Sequence, residues 1–364
     1  MNNIFRKVQF LSAHVKSSSI MIIVLLFVVL NISFKAPSSI FTIATGHQPQ
    51  ISMDKLGVIR IIYGDSDKIY CATSLDNGAT FPDIQKIGEI KDMHLGNSRG
   101  PQVASSINYT LVSAMDKKGA IHTFQLAHQS GKWTKVAFAN DVSGTALEGL
   151  MGIASDNYDN FYAVWLDLRD DKNNKICFSK TTNQGKSWSE NKIVYKSPYN
   201  TVCECCKPSI VVSQSKVFIM FRNLLNGSRD LHLLQSDDLG IKFNKPVKLG
   251  NGTWKLNGCP MDGGGLVVNS NNEVETIWQR EGLVYFSKLN EEETQIGLGR
   301  NCSISDAEKP ILSWQDGKKL KVKDTNHNDV FEIGEGSSIK TIRATDNKVL
   351  CAWEKEGKIF VNRL

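Results

Sequence analysis

The frame Ser74-x-Asp76-x-Gly78-x-x-Phe81 returns twice, as Thr181-x-Asn183-x-Gly185-x-x-Trp188 and as Ser236-x-Asp238-x-Gly240-x-x-Phe243. Each copy asks for one local structure. The Asp or Asn side chain accepts from backbone N–H groups a few residues on, folding a tight turn. The Gly supplies a positive φ, and the aromatic pins the turn between neighbouring strands. A worn fourth copy is Ser130-Gly131-Lys132-Trp133. Polar turns are common, but three at recurring offsets mark a chain built by repetition.

Between these turns, from residue 38 on, the helical period is absent. Short β-rich runs alternate with Gly, Asn and Asp turns, which is an all-β pattern. The runs stack into units with an inner strand, two longer strands and an edge strand. Inner strands open near Gln48, Gly100, Glu148, Lys207, Gly264, Asn301 and Ser338. That gives seven units of about 46 residues, a blade-sized period. The last unit reaches Leu364 with only three strands, and Ile40-Phe41-Thr42-Ile43 stands ahead of the first. Sheet edges must be hidden, so this N-terminal strand is expected to close the ring, pairing with the strand around Ile359–Asn362. The expected fold is a β-propeller of four-stranded antiparallel blades. A β-sandwich is the rival, and the shortness of the last two units leaves six blades open.

The repeated turns resemble the Asp boxes of the sialidase (neuraminidase) superfamily of β-propellers, over most of residues 40–290. The resemblance implies six blades, where the repeat count gives seven. It also implies an exo-α-sialidase-like glycoside hydrolase. Such an enzyme uses a tyrosine nucleophile with a glutamate and an aspartic acid as general acid, and clamps the sugar carboxylate with three arginines. Carried onto this chain, the glutamate is Glu148, the acid Asp65 or Asp67, and the tyrosine Tyr63. Neither Tyr63 nor Tyr285 sits in the family's motif, and His47-Gln48-Pro49 replaces its first-blade Arg-Ile-Pro. Arg99, before Gly100-Pro101, is the best arginine match.

Strand geometry separates two faces. The repeated turns lie between third and fourth strands, so inter-blade links and the loops between second and third strands share the opposite face. Asp76, Asn183 and Asp238 are therefore structural. The opposite face collects Arg99, Arg169, Arg222, Arg229, Arg280 and Asp262 as candidate substrate-binding residues. Arginine forks grip carboxylates bidentately. On that reading Arg222→Ala weakens binding and leaves stability unchanged. The competing reading is that these arginines staple loops by pairing with Asp167, Asp170 and Asp230.

Cys203, Cys205, Cys206 and Cys259 fall on consecutive inter-blade links and are expected to cluster there. In an exported protein they suit disulfides, while four sulfurs equally suit zinc or copper(I), with His47 nearby. Cys71, Cys177 and Cys351 fall in strand-like runs and read as small buried apolar residues.

The first 35 residues hold no Asp or Glu but carry Arg6, Lys7, Lys16 and Lys35, with an apolar run from Ile20 to Leu30. Residues 1–37 thus read as a secretory signal or an uncleaved membrane anchor, and 38–364 as an exported propeller. The chain is +6 overall, and without these four cations the body is at +2. That near-neutrality gives no electrostatic case for a nucleic-acid partner. The expected partner is a sialylated or otherwise acidic glycan, and hydrolysis of it requires no cofactor. The alternatives are a non-catalytic glycan- or protein-binding propeller and a metal or redox propeller using the cysteines.

Overall fold

The computed structural model describes residues 40–326 and 329–364. The expected signal or anchor, residues 1–37, lies outside the described residues. Among the described residues there is no helix, and so none long and apolar enough to cross a membrane.

Seven four-stranded antiparallel sheets follow one another along the chain. Their inner strands are His47–Met53, Gln102–Ser105, Met151–Ser155, Ser209–Ser213, Gly265–Val268, Arg300–Ser305 and Ser337–Arg343. Residues from all seven line one central channel. The fold is a seven-bladed propeller, so the six-blade count implied by resemblance and the sandwich alternative both fall. Blade 7 takes its outer strand from the other end of the chain. Phe41–Thr45 pairs antiparallel with Lys358–Arg363, with Phe41 opposite Val361 and Thr42 opposite Phe360.

Blade-on-blade packing explains why second strands are nearly continuous apolar runs. All seven residues of Phe161–Asp167 are buried, because a neighbouring blade covers each face of the sheet. Outer strands have water beyond them, and Asp83–Glu89 buries only Ile87. Each of the seven blade interfaces has its own apolar layer. The indoles of Trp165, Trp314 and Trp353 are fully enclosed in three of them. Each large buried side chain contributes about 1.5–3 kcal/mol.

The repeated turns form three near-identical hydrogen-bond cages. The Ser74 hydroxyl donates to Asp76 Oδ1 at 2.7 Å and accepts Gly78 N–H at 2.8 Å, and Thr80 N–H donates to Asp76 Oδ1 at 2.9 Å. Thr181/Asn183/Gly185 and Ser236/Asp238/Gly240 repeat these bonds within 0.2 Å. Thr80's hydroxyl holds the Asp76 carboxyl down at about 2. The turns also join blades. A Cβ at Gly240, whose φ is +84°, would lie 2.4 Å from the Phe178 ring of the preceding blade. Gly240→Ala is therefore expected to cost about 2–4 kcal/mol through backbone strain plus overpacking. Gly131 has φ +64° and open space around it, so Gly131→Ala carries the backbone cost alone, about 1 kcal/mol. Thermal unfolding of both variants checks this; equal losses would mean the contact with Phe178 contributes nothing.

Candidate functional site

The starts of the inner strands converge on one end of the channel. Opposite the repeated turns, they enclose a cavity of about 340 Å³. Blades 1, 6 and 7 each bulge there: their registers slip between His47 and Gln50, Arg300 and Ser303, and Ser337 and Lys340. Each bulge holds a non-glycine residue in left-handed backbone, Gln48 at φ +55°, Asn301 at +55° and Ser338 at +56°. Such strain persists only where surroundings enforce it, and it gathers at functional sites. Here the enforcers are visible. Gln48 N–H donates to Glu354 Oε2 at 2.5 Å and its side-chain amide to Ser338 Oγ at 2.9 Å, while Asn301 N–H donates to Asp262 Oδ2 at 2.7 Å.

Three cations face this cavity: Lys207, Lys340 and Arg300. Lys207 Nζ donates to Gln102 Oε1 at 2.6 Å, Lys340 Nζ to Ser303 Oγ at 3.4 Å and Arg300 to the Pro260 carbonyl at 3.4 Å. None of the three forms a salt bridge with another described residue. The cavity's two carboxylates are already engaged. Asp262 accepts from Gly264 N–H and Asn301 N–H, and Glu354 from Gln48 N–H and the Ser337 hydroxyl. Both lysines reach channel solvent yet have protein on every side. That enclosure, aided by the neighbouring Lys340 charge, pulls Lys207 down to about 7. Lys340 is lowered for the same reason, with Asp262 opposing, and burial raises the Asp262 carboxyl. The arrangement can hold an anion with directed N–H donors in a partly desolvated pocket.

Of the residues expected from sequence, only Asp262 lines this cavity. The arginines do not form a shared clamp, because each is consumed by an internal partner. Arg222 is 2 % exposed and donates to the carbonyls of Asp262, Arg229 and Gln279. Arg169 forks onto Asp167 at 2.8 and 3.0 Å and also reaches Asp141. Arg280 grips Glu293 and lies 4.1 Å from the Tyr285 ring centroid. Arg229 serves Glu204 and Cys203. Arg99 Nε donates to the Glu148 carbonyl at 2.5 Å, with the Glu148 carboxylate 3.7 Å from its Nη2. Of the loop-stapling pairs expected with Asp167, Asp170 and Asp230, Arg169–Asp167 forms, whereas Arg99, Arg229 and Arg280 pair with Glu148, Glu204 and Glu293 and Arg222 binds carbonyls.

The expected catalytic trio is dispersed likewise. Tyr63 is 2 % exposed and stacked on Tyr70 at 5.6 Å in the layer between blades 7 and 1, and its burial raises the phenol further. Asp65 ends the same strand and accepts from Ser66. Glu148 lies in the link to blade 3, beside Asn174 and Arg99. The indoles of Trp165 and Trp278 are buried in the core, while Trp254 is half-buried with the Arg222 guanidinium 5.4 Å from its ring centroid.

The cysteine cluster is present. A disulfide joins Cys205 to Cys259. Cys203 and Cys206 stay as thiols, with Cys203 Sγ 3.4 Å from Cys206 Sγ and 3.7 Å from Cys205 Sγ. Cys71, Cys177 and Cys351 are buried strand thiols, as expected, and Cys302 is a fourth, facing the channel.

No protein-family model matches the sequence, and no curated protein matches it. Solved structures match in shape. The polysaccharide lyase Uly1 superposes with a TM-score of 0.54 at 11 % identity, covering 87 % of this chain and 90 % of that one. The SapL1 lectin in complex with α-methyl fucoside gives 0.54 at 10 % identity, covering 80 % and 97 %. The Hadza microbial sialidase Hz136 gives 0.50 at 11 % identity, covering 88 % of this chain and 65 % of that one. The chain thus spans just under two thirds of that sialidase. At these identities the likeness is one of fold.

Proposed function

We propose that this propeller binds a carboxylate-bearing sugar, a sialic or uronic acid unit of a glycan, in the mouth of its central channel. The observation that carries the reading is a trio of cations, Lys207, Lys340 and Arg300, without salt-bridge partners among the described residues and facing one strained, polar cavity. A volume of about 340 Å³ falls in the usual range of small-ligand pockets. Support also comes from the propellers of similar shape, which include a fucoside-bound lectin, a polysaccharide lyase and a sialidase. Recognition rests on charge, since no indole lines this cavity.

Binding fits the geometry better than sialidase-type hydrolysis. That chemistry needs a tyrosine hydroxyl beside a carboxylate at the sugar's anomeric carbon. Tyr63 is instead sealed between blades, far from water in its packing. A chromogenic sialoside is therefore expected to show no turnover, while N-acetylneuraminic or glucuronic acid binds in a calorimetric titration. Turnover abolished by Tyr63→Phe would restore the hydrolase reading.

Each lysine supplies a charge-assisted hydrogen bond worth ~1.5–3 kcal/mol, so Lys207→Met and Lys340→Met should each weaken acid-sugar binding about 10- to 100-fold. Stability moves the other way. The folded-state pKa of Lys207 is depressed from 10.5 to about 7. Between these values the unfolded chain holds a proton that the folded one has released, so this group makes stability rise with pH across that window and contributes no slope below it. Lys207→Met should accordingly raise Tm most at about pH 6 and progressively less toward pH 10. A Tm that falls by the same amount at every pH would show that Lys207 acts by packing alone.

A further inference from the structure

The cysteine cluster stands beside the mouth and is not used by the carboxylate site. Three sulfurs, Cys203, Cys205 and Cys206, form a triangle with edges of 3.4, 3.7 and 3.9 Å. A point about 2.1 Å from all three lies at its centre, close to the ~2.3 Å of a zinc–thiolate bond. Tetrahedral thiolates around such an ion stand roughly 3.8 Å apart, which these edges approach. The residues are already in place: all three are buried, on the link that leads into blade 4. Arg229 Nη1 donates to Cys203 Sγ at 3.1 Å, placing a guanidinium where thiolate charge would gather.

The remaining buried cysteines behave differently. Burial lifts the Cys71 thiol to about 11 and Cys351 to about 12. Cys203 instead has the Cys206 sulfur at 3.4 Å and the Arg229 guanidinium at 3.1 Å from its own sulfur. Cys259, the partner of Cys205 in the disulfide, is the exposed member of the set. It is positioned to be reached from solvent, and the three sulfurs behind it are not.

We infer that, once the Cys205–Cys259 disulfide is reduced, Cys203, Cys205 and Cys206 bind one soft metal cation, copper(I) or zinc, with Cys259 available as a fourth ligand. The disulfide is the metal-free, oxidised form of the same site. The interconversion balances with a dithiol reductant. Two electrons and two protons pass to the disulfide, the Cys205–Cys259 bond breaks to leave two thiols, and the dithiol closes to its own disulfide. Metal binding then releases thiol protons to solvent. Soft thiolates select copper(I) or zinc over hard cations such as magnesium.

The test uses the full chain, reduced under argon with dithiothreitol, desalted, and dialysed against zinc(II) or acetonitrile-stabilised copper(I). Metal per chain is measured by mass spectrometry. The expected result is about one equivalent of one of the two metals in the reduced protein and less than a tenth in the oxidised protein. The Cys203→Ser/Cys206→Ser double variant should lose it, while Cys351→Ser, altered in the core of blade 7, should keep it. If the double variant misfolds, the oxidised and reduced forms of the unaltered chain decide. Reduced protein that shows two more titratable thiols than the oxidised form, yet takes up neither metal, overturns the site. So does a folded double variant that still carries a full equivalent.

Discussion

Arg222→Ala should destabilise the propeller by about 3–6 kcal/mol, on the order of 10 °C in Tm for a body of this size. The guanidinium is 2 % exposed and makes three hydrogen bonds, to the carbonyls of Asp262, Arg229 and Gln279. Two of those carbonyls belong to the link into blade 5 and to blade 5 itself, so one side chain ties two blades together. Truncation leaves three buried acceptors without a donor, each costing about 1–3 kcal/mol, and a cavity besides. Arg222→Met refills much of the volume without the donors, so it should recover little. Read from sequence as a substrate clamp, Arg222 would have left stability untouched. A Tm within 2 °C or so of the parent for Arg222→Ala would return it to that role.

Removing the closing strand should be nearly as damaging. Phe41–Thr45 supplies the outer strand of blade 7, and Phe41, Ile43 and Ala44 pack on the layer between blades 7 and 1. Three partly buried side chains and a row of ladder bonds amount to about 3–5 kcal/mol. Their loss also bares the Lys358–Arg363 edge, a template for aggregation. A chain starting at residue 46 should therefore melt roughly 10 °C below one starting at residue 40, and should precipitate more readily. Equal melting temperatures would mean that the ring does not depend on this strand.

Much of the fold was legible because propeller geometry is periodic. The Ser74, Thr181 and Ser236 frames mark the third-to-fourth turns, and the missing strand after Leu364 pointed to Phe41–Thr45. The blade count followed from the spacing of inner strands, against the family resemblance. The cysteine cluster was also legible, since adjacent links must be neighbours in space. The carboxylate site was not. Sequence reasoning put weight on arginines at loop positions, but a loop arginine close in space to Glu293 or Asp167 is spent on it, and such pairings cannot be seen in one dimension. Lys207 and Lys340 were visible at inner-strand starts. The signal that could have singled them out was a cation on a strand that otherwise faces a closed channel. Tyr63 failed for a related reason: position near the end of a strand does not say which side of the sheet is sealed by the next blade.

The most direct test of the central claim is calorimetric titration of N-acetylneuraminic acid into the full chain at about pH 8, in buffers of different ionisation enthalpy. Lys207, near 7 in the free protein, is mostly neutral there, and a bound carboxylate favours its ammonium form. Binding should take up a substantial fraction of a proton. That uptake should vanish in Lys207→Met, and affinity should weaken as pH climbs from about 6 to 9. Binding that takes up no proton, that is unchanged in Lys207→Met and Lys340→Met, or that is matched by the methyl ester of the sugar would contradict a carboxylate site in the channel mouth.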